Sequence, residues 1–184
     1  MKLYFVTSNE NKLREAQQIL NNHEIEAIKL DLPELQGTPE SIVKAKAKTA
    51  AEQTQKACFV DDTSLAFNAL KGLPGPYIKD FLQAMETPNL PKLLAAYDDK
   101  SAQAICSIGF CEPGKEPIVI QGIVEGNIVE ARGSKNFGPF GWDPIFQPKN
   151  SSKTFAEMTA EEKNACSHRK KALEQFKAYL NSNP

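Results

Sequence analysis

The first sixty residues alternate between two periodicities in an order that few folds accommodate. An apolar run at 3–6 is followed by helical spacing at Leu13, Ala16, Ile19 and Leu20, then by period-two alternation at Ile28, Leu30 and Leu32. A second helical pattern through Ile42, Val43, Ala47, Ala50 and Ala51 leads into another short apolar run at 57–60. Strand, helix, strand, helix, strand predicts an α/β sheet with parallel pairs. Start signals agree: Asn9 is a natural cap for the first helix, and Thr38 with Pro39 opens the second, which is expected to reach about Lys56. Lys44, Lys46 and Lys48 read as its solvated face.

The middle of the chain changes character. Gly72-Leu73-Pro74-Gly75-Pro76 reads as a rigid loop, with short helices expected over 77–85 and 89–97. Beyond them 102–111 and 118–124 read as strands, and Glu125-Gly126-Asn127 as a turn into a further strand at 128–131, so antiparallel strands extend the sheet. A capping box, Thr159 with Glu162, opens a last helix to about Leu180 whose inward stripe is Cys166, Leu173, Phe176 and Leu180. With no repeat and no low-complexity linker, the 184 residues read as one domain.

Composition excludes several functions. A net charge of −1 provides no global field for a nucleic-acid polymer, so phosphate chemistry must be local. No apolar run approaches the roughly 20 residues of a membrane span, and no secretory pattern follows Met1-Lys2, so a cytoplasmic location is expected. Cys58, Cys106, Cys111 and Cys166 lack metal-ligand spacing and read as reduced, mostly core thiols.

Against that background a few residues stand out. Lys12 falls in the first turn of its helix, where free amides and the dipole already make the field positive. An anion bound there, held with Thr7 and Asn9, explains it; an exposed lysine with Glu10 satisfying the dipole is the plainer reading of this segment alone. Asp61 and Asp62 follow a buried strand, where α/β proteins place ligands, and adjacent carboxylates point in different directions. Asp62 with Glu34 suits a hard cation, while a simple Asp-Asp turn is the plainer reading. The aromatics among glycines and prolines at 137–146 suit stacking on a planar base, or serve the core. Arg169 falls on the inward side of the last helix and needs an anionic or carbonyl partner there. Ser167 and His168 are neighbours about 100° apart on a helix and do not form a nucleophile pair. Together these are parts for holding a nucleoside triphosphate.

The segments FVTSNENK, DLPELQG, FVDDTSLAFNALKGLPGPYIK, FGWDPIFQP and TFAEMTAEEKNACSHRKKAL, in that order along nearly the whole chain, closely resemble the inosine triphosphate pyrophosphatase family. LPGPY and Trp142 resemble its eukaryotic branch, and Asp61 stands where many members have glutamate. The resemblance implies a long curved mixed sheet flanked by helices, two lobes around a central cleft, and a homodimer. It implies hydrolysis of ITP, dITP and XTP to the monophosphate and pyrophosphate. Thr7, Ser8, Asn9 and Lys12 would hold the phosphates with Lys46 and Lys79, and Glu34 and Asp62 would bind Mg²⁺, or Mn²⁺ in its place. Asp62, Lys12 and Glu34 form the expected catalytic set, with Thr63 beside Asp62. Phe140, Gly141, Trp142 and Asp143 would form the base pocket, closed by Lys163, His168 and Arg169. The alternatives are a general pyrophosphatase of other modified nucleotides, a nucleotide sensor without turnover, and a single-stranded RNA binder, which the neutral charge disfavours.

Overall fold

Strand β1 (Lys2–Val6) pairs in parallel on both sides, with β2 (Glu24–Ile28) and β3 (Cys58–Phe67). The computed structural model describes residues 1–133 and 141–183. Helix α1 (Glu10–Ile19) connects β1 to β2, and α2 (Pro39–Thr54) connects β2 to β3, as the alternating pattern predicts. Both caps form: Asn9 Oδ1 accepts from the amides of Asn11 and Lys12, and Thr38 Oγ1 from that of Ser41. The sheet is seven-stranded and mixed, in the order β2-β1-β3-β5-β6-β7, with β4 (Pro74–Gly75) antiparallel to β3. β5 (Ser101–Cys111) and β6 (Ile118–Ile128) follow α3 (Ile78–Met85), and β7 (Phe146–Pro148) is antiparallel to β6.

Contacts divide the chain into two compact units, with the boundary falling inside β3, β5 and β6: Met1–Asp62, Cys106–Gly122 and Arg169–Pro184 form one, Thr63–Ile105 and Ile123–His168 the other. In the first unit, Phe5 stacks on Phe59 at 4.3 Å in a cluster that takes Leu13 and Ala16 of α1, Leu20 that caps it, and Leu173, Phe176 and Leu180 of α5 (His168–Ser182). Val60, the next residue along β3, packs instead with Val43, Ala47 and Ala51 of α2. Successive strand residues face opposite sides, so α1 and α5 cover one face and α2 the other. The second unit is built on Leu65 and Phe67 of β3, Val124 and Ile128 of β6, Leu82 of α3, and Trp142, Phe146 and Phe155.

Several expectations are corrected. β2 ends at Ile28 rather than continuing to Leu32, because it pairs residue for residue with five-residue β1. Leu32 packs against the α2 cluster instead. β3 does not stop at the aspartates but carries both of them to Phe67, which removes the Asp-Asp turn. The helix expected at 89–97 is a 3₁₀ segment, Thr87–Leu94, with Pro91 inside it removing an amide donor. Lys46 is buried, not solvated, whereas Lys44 and Lys48 are exposed. The last helix is two: α4 (Ala160–Cys166) ends at extended Ser167, so Cys166 does not share the stripe of Leu173, Phe176 and Leu180. All four cysteines are thiols, three of them buried, as expected.

No turn forms at 125–127 either, and the strand expected at 128–131 ends at Ile128, because β6 runs straight to that residue with Gly126 opposite Pro148 of β7. A Cβ on Gly126 would lie 2.4 Å from the Gln147 carbonyl oxygen and 2.7 Å from the Phe146 ring, so glycine serves close strand approach there rather than a turn. Gly126→Ala is therefore expected to destabilise the fold by about 1–3 kcal/mol. Urea unfolding measures this, and an unshifted midpoint would refute the tight β6–β7 packing.

Candidate functional site

β1 and β2 end at Val6 and Ile28, and the Thr7 amide donates to the Ile28 carbonyl at 3.2 Å, locking the two strand ends together. Open parallel sheets bind ligands beyond such carboxyl ends. A cavity of about 630 Å³ lies there, within the first unit, lined by Thr7, Ser8, Asn9, Lys12, Glu34, Lys46, Asp61 and Asp62. Seven of these were expected from the sequence. Lys29, Leu30, Asp31 and Leu32 also line it and were missed, since 28–32 reads as strand alternation. Lys29 makes no ion pair with the described residues.

The alternation of β3 decides which helix meets which aspartate. Asp61 has the parity of Phe59 and faces α1 and α5: its Oδ1 accepts from Lys12 Nζ at 2.8 Å and its Oδ2 from Arg169 Nε at 3.0 Å. Asp62 has the parity of Val60 and faces α2, accepting from Lys46 Nζ at 2.8 Å. Glu34 reaches the same ammonium at 3.3 Å although its own side chain is 88% exposed. Lys12 thus sits in the first turn because a buried carboxylate from β3 compensates it. Arg169 finds the anionic partner its inward position requires, and adds Glu15 of α1 at 3.4 Å, a residue the sequence did not single out.

The environments split the two aspartates. Burial pushes the Asp61 carboxyl up, but Lys12 and Arg169 outweigh it and hold the group below the usual carboxylate range. Burial also pushes Asp62 up, the charge of Asp61 adds to it, and Lys46 only partly offsets them, so Asp62 lies above that range. One carboxylate is a fixed anion and its neighbour is the more basic.

In the second unit, Trp142 lies 5.5 Å from the His168 ring, and Phe155 stacks on His168 at 5.9 Å and 21°. Lys163 donates to the Asp143 carboxylate and stands 5.4 Å over the Phe155 ring. The structure so brings together Trp142, Asp143, Lys163 and His168, with Gly141 next in the chain, around Phe155, which sequence reading missed because one Phe in TFAEM carries no positional signal. Thr63 is half-buried on β3 and Lys79 exposed at the start of α3; neither side chain has an ion pair or hydrogen bond among the described residues. Phe140 lies outside the described residues. No described helix is long and apolar enough to cross a membrane.

Because Asp61 binds two cations, Asp61→Asn is expected to cost roughly 3 kcal/mol at neutral pH. A depressed folded-state pKa gives stability that is complete above the unfolded value of about 3.9 and drains as pH falls through the folded value. The gap between wild type and variant should accordingly narrow below about pH 3.9. Denaturant titrations at pH 7 and pH 3 measure it, and a gap that widens in acid contradicts the pairing.

Residues 3–179 match the Ham1 family. Over 98% of the chain and 97% of the relative, the sequence is 45% identical to an inosine triphosphate pyrophosphatase of Puccinia graminis f. sp. tritici. It is 51% identical to the enzyme of that name from Tuber melanosporum, over 99% and 98% of the two chains. The fold superimposes on the Ham1 protein of Staphylococcus aureus with a TM-score of 0.89 at 27% identity, covering 100% of each chain. With strand-end cavity, paired aspartates and full-length similarity in agreement, the chain belongs to the Ham1 family.

Proposed function

We propose that the protein hydrolyses the non-standard purine triphosphates ITP, dITP and XTP to the monophosphate and pyrophosphate, clearing deaminated purines from the nucleotide pool. The observation that carries this is the cavity beyond β1 and β2, where lysines and two electrostatically unlike aspartates converge. It is joined to 45% and 51% identity, over nearly the whole chain, with enzymes named inosine triphosphate pyrophosphatase.

The triphosphate is held by Thr7, Ser8, Asn9, Lys12 and Lys46, with Thr63 and Lys79 as further ligands. Asn9 Oδ1 is used in capping, which leaves its amide NH₂ as the donor. Water attacks the α-phosphorus, the bond to the bridging oxygen breaks, and that oxygen leaves with pyrophosphate. Asp62 orients the water and takes its proton. Asp61 spends both oxygens on cations, so it holds Lys12 and Arg169 in place rather than serving as the base.

The residues fit a divalent cation. Glu34 and Asp62 converge on one cationic point, now the Lys46 ammonium, and the cavity has four acids to three lysines, too acidic for a polyanion without a further cation. Two carboxylates would leave room for substrate phosphate oxygens and water, a donor set that Mg²⁺ prefers and Mn²⁺ tolerates. Glu34 and Asp62 would hold such a cation where it would supply charge neutralisation for the leaving pyrophosphate.

Phe140, Gly141, Trp142, Asp143 and Lys163 take the base, and His168 and Arg169 donate to its 6-keto oxygen. Adenine presents an amino group there and leaves donors facing donors, a mismatch that discriminates steeply. We read the protein as a cytoplasmic homodimer; four unbridged thiols support the compartment, and the family resemblance supports the dimer, which sedimentation velocity tests.

Asp62→Asn is expected to abolish pyrophosphate release from ITP and Mg²⁺ while ITP still binds in calorimetry; an active variant removes Asp62 from the chemistry. A panel of modified purine and pyrimidine triphosphates in the same assay separates this function from a general pyrophosphatase. Arg169→Ala is expected to flatten the preference for ITP over ATP. If turnover falls with the preference intact, Arg169 acts only through Asp61 and Glu15.

A further inference from the structure

We propose that Thr87 is a positioning residue for the nucleobase end of the site, an inference that rests on the function proposed above. Thr87 opens the 3₁₀ segment Thr87–Leu94, is 4% exposed, and donates from Oγ1 to the Gly141 carbonyl at 2.6 Å. The residues after Gly141 are fixed from their far side. The Ile145 amide donates to the Trp142 carbonyl at 3.1 Å and that of Ala156 to the Asp143 carbonyl at 3.3 Å, while the Trp142 ring meets Phe146 edge-on at 5.6 Å. Thr87 fixes the near side, at the peptide that joins Gly141 to Trp142.

Sequence does not require a hydroxyl there. Thr87 is buried on the segment that supplies Leu90 to the apolar cluster containing Trp142, and valine has the same shape there and none of the cost of burying a polar group. The hydroxyl is matched to one carbonyl. Through that bond it sets the position of the Trp142 indole relative to His168, 5.5 Å away, and of the Asp143 carboxylate that Lys163 binds. The Thr87 hydroxyl bonds to the Gly141 carbonyl and to none of the proposed phosphate ligands Lys12, Lys46, Thr63 and Lys79, so its loss should be felt on the base and not on the phosphates.

Thr87→Val, read alongside Thr87→Ala, removes the bond, and Thr87→Ser retains it. For both hydroxyl-free variants the KM for ITP is expected to rise about 5–10-fold, the worth of one well-made hydrogen bond, with kcat within about twofold. Inhibition by inorganic tripolyphosphate should be unchanged, and Thr87→Ser should restore the KM. Trp142 is the only tryptophan, so its emission and acrylamide quenching report on this segment without any substrate; both should change in Thr87→Val and not in Thr87→Ser. An unchanged KM and emission, or equal weakening of ITP and tripolyphosphate, overturns the inference. Wild-type protein that releases no pyrophosphate from ITP overturns the function proposed above, and the base-affinity role with it. ITP turnover with an unchanged Thr87→Val KM overturns the Thr87 role alone.

Discussion

Two neighbouring carboxylates on one strand, pointing to opposite faces of a sheet and each needing a cation, organise the first unit. A buried charge left unpaired costs several kcal/mol, so the helices that cover the two faces must each deliver a lysine or arginine to β3 at the right height. α1 brings Lys12, α5 brings Arg169 and α2 brings Lys46. Asp61 therefore ties the first helix of the chain to the last through its two oxygens, and the cavity wall inherits that rigidity.

The same arrangement divides the chemistry. A carboxylate with a cation on each oxygen is stabilised as an anion and is the harder of the two to protonate. Its neighbour, with Lys46 on one oxygen and an anion one residue away, is the more readily protonated of the two. Adjacent identical residues acquire different roles because strand alternation hands them different partners.

Much of this was legible locally. The helix starts at Asn9, Thr38 and Thr159 were readable because a cap is a short-range hydrogen bond that the sequence spells out within three residues. Lys12 was conspicuous because it conflicts with the dipole of its own helix, and Arg169 because it interrupts an apolar stripe. Lys46 was misread as solvated, since a lysine on a helix gives no sign that an aspartate sixteen residues later will meet it. Gly126 was misread as a turn because glycine at a bend and glycine under a neighbouring strand look alike in sequence.

The sequence by itself determined the α/β class with parallel strand pairs, the helix starts, and a set of residues whose types conflict with their immediate surroundings. It did so because periodicity, caps and charge conflicts are properties of a few consecutive residues. Tertiary structure alone decided where strands stop, which cation each aspartate takes, that Phe155 holds His168 and Lys163, and that Thr87 meets Gly141 across 54 residues. Those contacts depend on strand register and on which face each side chain points to, and both are fixed only when distant segments pair.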